Sequence, residues 1–135
     1  YNHKSRYHNP NDLSIYNSLK QGKYLNHPSN IAALKKINKG TPFTGFLDKY
    51  FKLNQNHISK TIIAHLETDG NSYVHPSQNR SITPREAARI QSFPDWYFFT
   101  GSLRNQFKQI GNAVPPLLAS VIAKEFIKIL TKINK

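Results

Sequence analysis

The chain has 135 residues, enough for one domain with a modest core, and 38% of them are apolar against 19% charged, which excludes a disordered chain. Nineteen Lys and Arg against seven Asp and Glu leave a formal net charge of +12, so a polyanion is the first partner to consider. Cysteine is absent, which excludes disulfides, thiolate metal sites and a cysteine nucleophile within the chain, and no apolar run approaches the roughly 20 residues that a membrane span needs.

The charge is uneven. Residues 1–66 hold ten basic and two acidic side chains (+8), and residues 67–135 hold nine and five (+4), which makes the first half the expected electrostatic face. The six His residues show no ligand spacing, so no metal site is expected. Tyr1-Asn2-His3-Lys4 has no apolar signal core, and a cytoplasmic protein fits best. The chain begins without Met, as a fragment of a longer protein would, and its first eight residues read as linker.

In chain order, Leu13, Tyr16 and Leu19 recur at three-residue steps within Pro10–Gln21, and Ile31, Leu34 and Ile37 within Ser29–Lys39 before Gly40. Both segments read as short amphipathic helices. Composition changes near residue 58, read as a lobe boundary. Beyond it, the β-branched run Lys60-Thr61-Ile62-Ile63-Ala64-His65-Leu66 and the turn Asp69-Gly70-Asn71 predict strands over 60–66 and 71–75. Thr83-Pro84-Arg85-Glu86 is a capping box with Pro at the first helical position, predicting a helix from 84 to about 92 that stops before Pro94. After an aromatic stretch, Gly111-Asn112-Ala113-Val114-Pro115-Pro116 reads as a turn into a last helix, Leu117 to about Ile133. Its Leu118, Ile122, Phe126, Ile129 and Ile133 form a stripe with Lys124, Lys128, Lys132 and Lys135 largely off it.

Three segments, in this order, resemble the DNA cytosine-5 methyltransferases. Lys60-Thr61-Ile62 is similar to the Thr-Leu pair of that family's target recognition domain. Residues Asn79 to Asp95 resemble its motif IX, and Gln109 to Pro116 resemble its motif X. The family's Gly-rich loop for S-adenosylmethionine, its Pro-Cys nucleophile loop and its Glu-Asn-Val motif have no counterpart here. Family chemistry adds a Cys thiolate to C6 of a flipped cytosine so that C5 can take the methyl group. The resemblance therefore implies a C-terminal portion or small subunit, inactive alone and without a catalytic residue. A freestanding DNA-binding module derived from such an enzyme is the alternative.

The implied fold is α+β: a small recognition lobe of short strands and helices, with a C-terminal helix that packs on a Rossmann-like catalytic domain lying outside this chain. Residues 1–79 correspond to target recognition, and residues 80–135 to the motif IX and X region completing the methyltransferase domain. The implied partners are double-stranded DNA and an N-terminal part carrying the Pro-Cys motif, with no membrane. By resemblance Thr61 contacts a backbone phosphate, with Ile62 packed beneath it and Lys60 beside it. His65 is a weaker base-reading candidate, and strand alternation places Thr61, Ile63 and His65 on one face. Arg80, Thr83, Arg85, Glu86 and Arg89 form the structural motif, in which Arg85 and Arg89, four residues apart on a helix, call for a carboxylate or phosphate between them. Asn112, Ala113 and Val114 border S-adenosylmethionine, at a helix start expected to offer free amides. The stripe of the last helix is expected to be exposed or self-associating in the isolated chain.

Overall fold

A computed structural model describes residues 1–30, 35 and 49–133. The N-terminal residues that read as linker are stitched into the body instead. Asn2, at φ 61°, donates from its side chain to the Phe99 carbonyl (2.8 Å) and accepts the Phe99 N–H (3.1 Å), while its own carbonyl accepts the Arg85 N–H (3.0 Å). The Arg6 guanidinium lies 4.2 Å from the centre of the Phe107 ring and donates to the carbonyls of Leu66 and Glu67. His8 accepts the Ser81 N–H at 3.0 Å. Polar side chains tie this segment down by bonding distant backbone, so it has no apolar periodicity to read.

Helix α1 runs Pro10–Ser18, started by the Asn9 side chain, which accepts the Asp12 N–H, and by Pro10 in the first turn. It buries Ile15, Tyr16 and, at its C-cap, Leu19, while Leu13 stays exposed. The predicted helix thus exists but ends earlier and is rotated toward Ile15. A 3₁₀ turn covers Pro28–Asn30, and the rest of the second predicted helix, apart from Lys35, lies outside the described residues.

Backbone around residues 22–25, 50–53, 73–75 and 80–82 lies side by side without making regular strands, and the predicted strand over 71–75 does not form: Gly70–Ser72 is a 3₁₀ turn, and of the strand's residues only Val74 makes bridges. Single bridges pair Tyr24 with Phe51, Lys52 with Val74, and Val74 with Ser81. Val74 exchanges bonds with the 51–53 segment, donating to Phe51 O and accepting from Leu53 N–H, both at 2.9 Å. The predicted strand at 60–66 does not form. Ala64–Glu67 is a 3₁₀ turn, and among the described residues no backbone bridge pairs with 60–63. The expected common face of Thr61, Ile63 and His65 goes with it. β-propensity expresses the fit of a residue to a pleated, half-buried surface, and here only Ile62 and Leu66 reach the core.

Helix α2, Pro84–Ile90, carries the predicted capping box in full. Helix α3, Leu103–Asn112, forms where the sequence predicts no helix, and Gly111 and Asn112, expected to open a turn, are its last residues. Ser102 caps it through the Asn105 N–H, and Phe107 and Ile110 are its buried residues. Those two side chains join Leu66, Tyr73, Ile82 and Phe99 in the larger core, while Ile15, Tyr16, Leu19, Leu25 and Val74 form a smaller one.

Helix α4, Pro116–Ile133, has no buried residue. Leu118, Ile122, Phe126 and Ile129 are 45–62% exposed, as expected of this stripe in the isolated chain. The isolated chain should therefore self-associate. Sedimentation velocity should show oligomers that vanish in an Ile122→Lys/Phe126→Lys double variant, and monomers from the unmodified chain at tens of micromolar would contradict this. None of the helices among the described residues is long and apolar enough to cross a membrane.

Candidate DNA and cofactor sites

Lys60, Thr61 and His65 sit on one short connection. Thr61 is exposed with its hydroxyl directed to no partner among the described residues, and its carbonyl accepts the Tyr73 hydroxyl at 2.6 Å. Ile62, 8% exposed, is anchored in the larger core beneath it, the arrangement that suits a hydroxyl held out toward a phosphate. The Lys60 ammonium lies 5.3 Å from the ring centre of Tyr24, 5.5 Å from Tyr73 and 5.8 Å from Phe51. Three electron-rich faces hold this cation near the surface in one place. His65 is exposed on the 3₁₀ turn, where its carbonyl accepts the Thr68 and Asp69 N–H groups.

The motif IX residues brace the chain. Glu86 accepts both terminal nitrogens of Arg80 at 2.7 Å and the Thr83 N–H at 2.8 Å, while the Thr83 hydroxyl accepts the Glu86 N–H. Burial pushes the Glu86 carboxyl upward, but the Arg80 and Thr83 hydrogen bonds, with the charge of Arg80 behind them, outweigh it and hold it at about 2. His75 has Nε2 3.6 Å from Glu86 and Nδ1 accepting the Ser77 and Gln78 N–H groups. Burial lowers its pKa, and the Arg80 charge lowers it further.

A carboxylate held below its unfolded value stabilises the fold above that value, and the contribution disappears as pH falls through the folded one. Glu86→Gln should therefore cost about 2 kcal/mol at pH 7. Between about pH 4.5 and 2 the parent chain should lose stability more steeply than the variant, by the share that Glu86 contributes. Parallel urea-denaturation curves for parent and variant across that interval would contradict this.

Arg85 and Arg89 do not share an anion. Arg89 pairs with Asp95 through two 2.8 Å bonds, both side chains largely exposed. Arg85 is 4% exposed and pairs with no carboxylate among the described residues. Its guanidinium donates to the carbonyls of Tyr1, Pro94 and Tyr97 and to Asn2 Oδ1, at 3.2, 3.3, 2.6 and 3.3 Å. The expected ion pair is replaced at Arg85 by backbone, because the loop after α2 and the N-terminal segment turn their carbonyls inward around one planar donor.

The motif X residues straddle the end of α3. Gly111 and Asn112 are its last residues, and Ala113 is its C-cap. The connection is poorer in free amides than its sequence suggests. Ala113 donates to Ile110 O, Pro115 and Pro116 have no N–H, and Leu117 donates to Ser92 Oγ, which leaves the Val114 N–H without a partner among the described residues. The Asn112 side chain is exposed and unpaired among the same residues, and Val114 is 60% exposed. An open amide, one N–H and an apolar side chain thus form an accessible border at the end of α3. Gly111 brings this border against the Thr61 segment: a Cβ on it would lie 2.8 Å from Ile63 O and 3.2 Å from Ala64 Cα. The two candidate sites are thus joined back to back through main chain, a proximity that no spacing in the sequence signals. No group of three or more His, Cys, Asp or Glu suited to a metal ion occurs among the described residues.

The sequence profile of C-5 cytosine-specific DNA methylases matches residues 1–128. Type II methyltransferase M.AgeI of Thalassovita gelatinovora is 46% identical over 109 residues, covering 73% of this chain and 25% of that protein. Type II methyltransferase M.DdeI of Desulfomicrobium norvegicum is 33% identical over 149 aligned residues, covering 99% of this chain and 34% of the relative. DNA (cytosine-5)-methyltransferase 3 of Arabidopsis thaliana is 37% identical over 91 residues, 66% of this chain and 6% of that protein. The chain spans well under half the length of the curated relatives it matches. A match over nearly all of its residues, with the capping box, the motif X helix end and the buried Ile62 in place, makes the chain a member of the C-5 cytosine-specific DNA methylase family.

Proposed function

We propose that the chain is the recognition and C-terminal portion of a DNA cytosine-5 methyltransferase of a bacterial restriction-modification system, working in the cytoplasm. The observation that carries this reading is α4, an 18-residue helix with its whole apolar stripe exposed, directly after motif X in a chain without Cys. Such a helix calls for a partner surface, and that surface belongs to the polypeptide with the Gly-rich and Pro-Cys motifs. The overall class is α+β, with residues 1–79 serving recognition and residues 80–135 completing the methyltransferase domain.

In this reading Thr61 places its hydroxyl on a phosphate of double-stranded DNA, Lys60 adds a fixed positive charge beside it, and His65 faces a groove. Asn112, Ala113 and Val114 border S-adenosylmethionine, which supplies the methyl group when bound. Arg80, Thr83, Arg85, Glu86 and Arg89 touch neither DNA nor cofactor. They fix α2 against the N-terminal segment and so hold the two borders in register.

The test is to purify the chain, tagged at its N-terminus, from its native cells and to take intact masses of everything that accompanies it. A larger single species, or a separate partner, bearing the Pro-Cys motif is the expected result. A lone 15.5 kDa chain would overturn it in favour of a freestanding DNA-binding module.

A further inference from the structure

Ser92 ends α2 in a conformation that its residue type does not favour. Gln91 is the C-cap. The Ser92 N–H bonds Arg89 O and the Phe93 N–H bonds Ala88 O, both at 2.9 Å, the paired bonds of a Schellman ending. Ser92 holds the left-handed position of that motif, at φ 63°, where glycine alone meets no steric penalty. Its hydroxyl gives the strained residue a purpose, because Ser92 Oγ accepts the Leu117 N–H at 3.2 Å in the first turn of α4. Among the described residues no other side-chain hydrogen bond joins α4 to the body, and none of the helix's side chains is buried.

We infer that Ser92 is a positioning residue, whose hydroxyl sets the angle at which α4 leaves the end of α2 and thereby the placement of Asn112 and Val114. The effect on ligand binding rests on the reading of residues 112–114 as the cofactor border. Two short connections fix the start of α4: the Ala113–Pro115 link to α3 and the Ser92 bond. Removing the second leaves the first as the hold that this chain's described residues keep on the start of the helix. The hydroxyl thus acts on the border through α4, touching neither cofactor nor DNA itself.

The experiment uses the complete methyltransferase, with the catalytic part in place, and four forms: parent, Ser92→Gly, Ser92→Asn and Asn112→Ala. Calorimetric titration with S-adenosylhomocysteine without DNA gives affinity, and thermal melting without ligand gives stability. Ser92→Gly relieves the left-handed strain and removes the acceptor, so it should melt at or above the parent temperature yet bind about five- to tenfold more weakly. Ser92→Asn, which tolerates that backbone and restores an acceptor, should recover most of the affinity. Parallel losses of stability and affinity in Ser92→Gly would make the residue merely structural and overturn the inference. Unchanged affinity in Ser92→Gly beside weakened binding in Asn112→Ala would overturn it while leaving the border reading intact. Unchanged affinity in both would overturn that reading and the inference together.

Discussion

Replacing Arg85 by Ala should lower the stability of the chain by about 3–5 kcal/mol and its melting temperature on the order of 15 °C. The guanidinium is buried and serves three backbone carbonyls and the Asn2 side chain. Its removal leaves acceptors from two separate segments, around Tyr1–Asn2 and Pro94–Tyr97, without the donor that joins them. The guanidinium also lies 5.9 Å from the centre of the Phe99 ring, so the core loses a packing contact. Of a typical domain stability of about 5–15 kcal/mol this is a large share. Arg85→Lys should rescue less than half of the loss, since one ammonium cannot reach acceptors spread around a planar fork. Melting by circular dichroism decides it: an Arg85→Ala midpoint within about 2 °C of the parent would show that other donors serve these carbonyls.

The second large effect is expected at Gly111, and its sign is diagnostic. Gly111 lies within α3, where helix propensity alone favours Ala by about 1 kcal/mol. A Cβ there would sit 2.8 Å from Ile63 O and 3.2 Å from both Ala64 Cα and Ala64 O, all of them main-chain atoms that cannot swing aside. Overpacking should win, with a net loss of about 2–4 kcal/mol. The damage should also be local. Hydrogen exchange should speed up at the Leu66 and Thr68 amides, which hold the 3₁₀ turn beside Thr61, more than in α1. A Gly111→Ala chain that melts higher than the parent would mean that α3 and the Ile63–Ala64 segment stand further apart than described.

Gly111 also marks the boundary of what could be read without coordinates. In the sequence it opens a Gly-Asn-Ala-Val-Pro-Pro run that has the composition of a turn. In the folded chain it is helical, and its missing Cβ serves an approach between two segments nearly 50 positions apart. Single-sequence reading detects local punctuation, and close packing of distant backbone leaves no periodic trace. Helix α3, by contrast, did leave a local trace: Ser102 caps it and Leu103, Phe107 and Ile110 recur at i, i+4 and i+7, a stripe overshadowed by the aromatic residues before it and the turn-like run at its end. The predicted strand at 60–66 failed in the opposite way. Its β-branched residues promised a ladder, but a ladder needs a neighbour, and the Val74 segment pairs with Lys52 and Ser81 instead.

Where the cause is local, the sequence alone was sufficient. The capping box of Thr83 and Glu86 and the Pro-started helix with its unpartnered stripe follow from neighbouring residues and formed as read. The three ordered motifs likewise identified the family. Only tertiary structure decided that residues 1–8 belong to the body, that Arg85 answers carbonyls while Arg89 takes Asp95, that Lys60 rests among three rings, and that the Thr61 segment and the Asn112 border meet at Gly111. The physical reason is common to all four: each depends on which distant groups the folded backbone brings within hydrogen-bond or van der Waals reach, a matter of three-dimensional proximity that no residue's own neighbours encode.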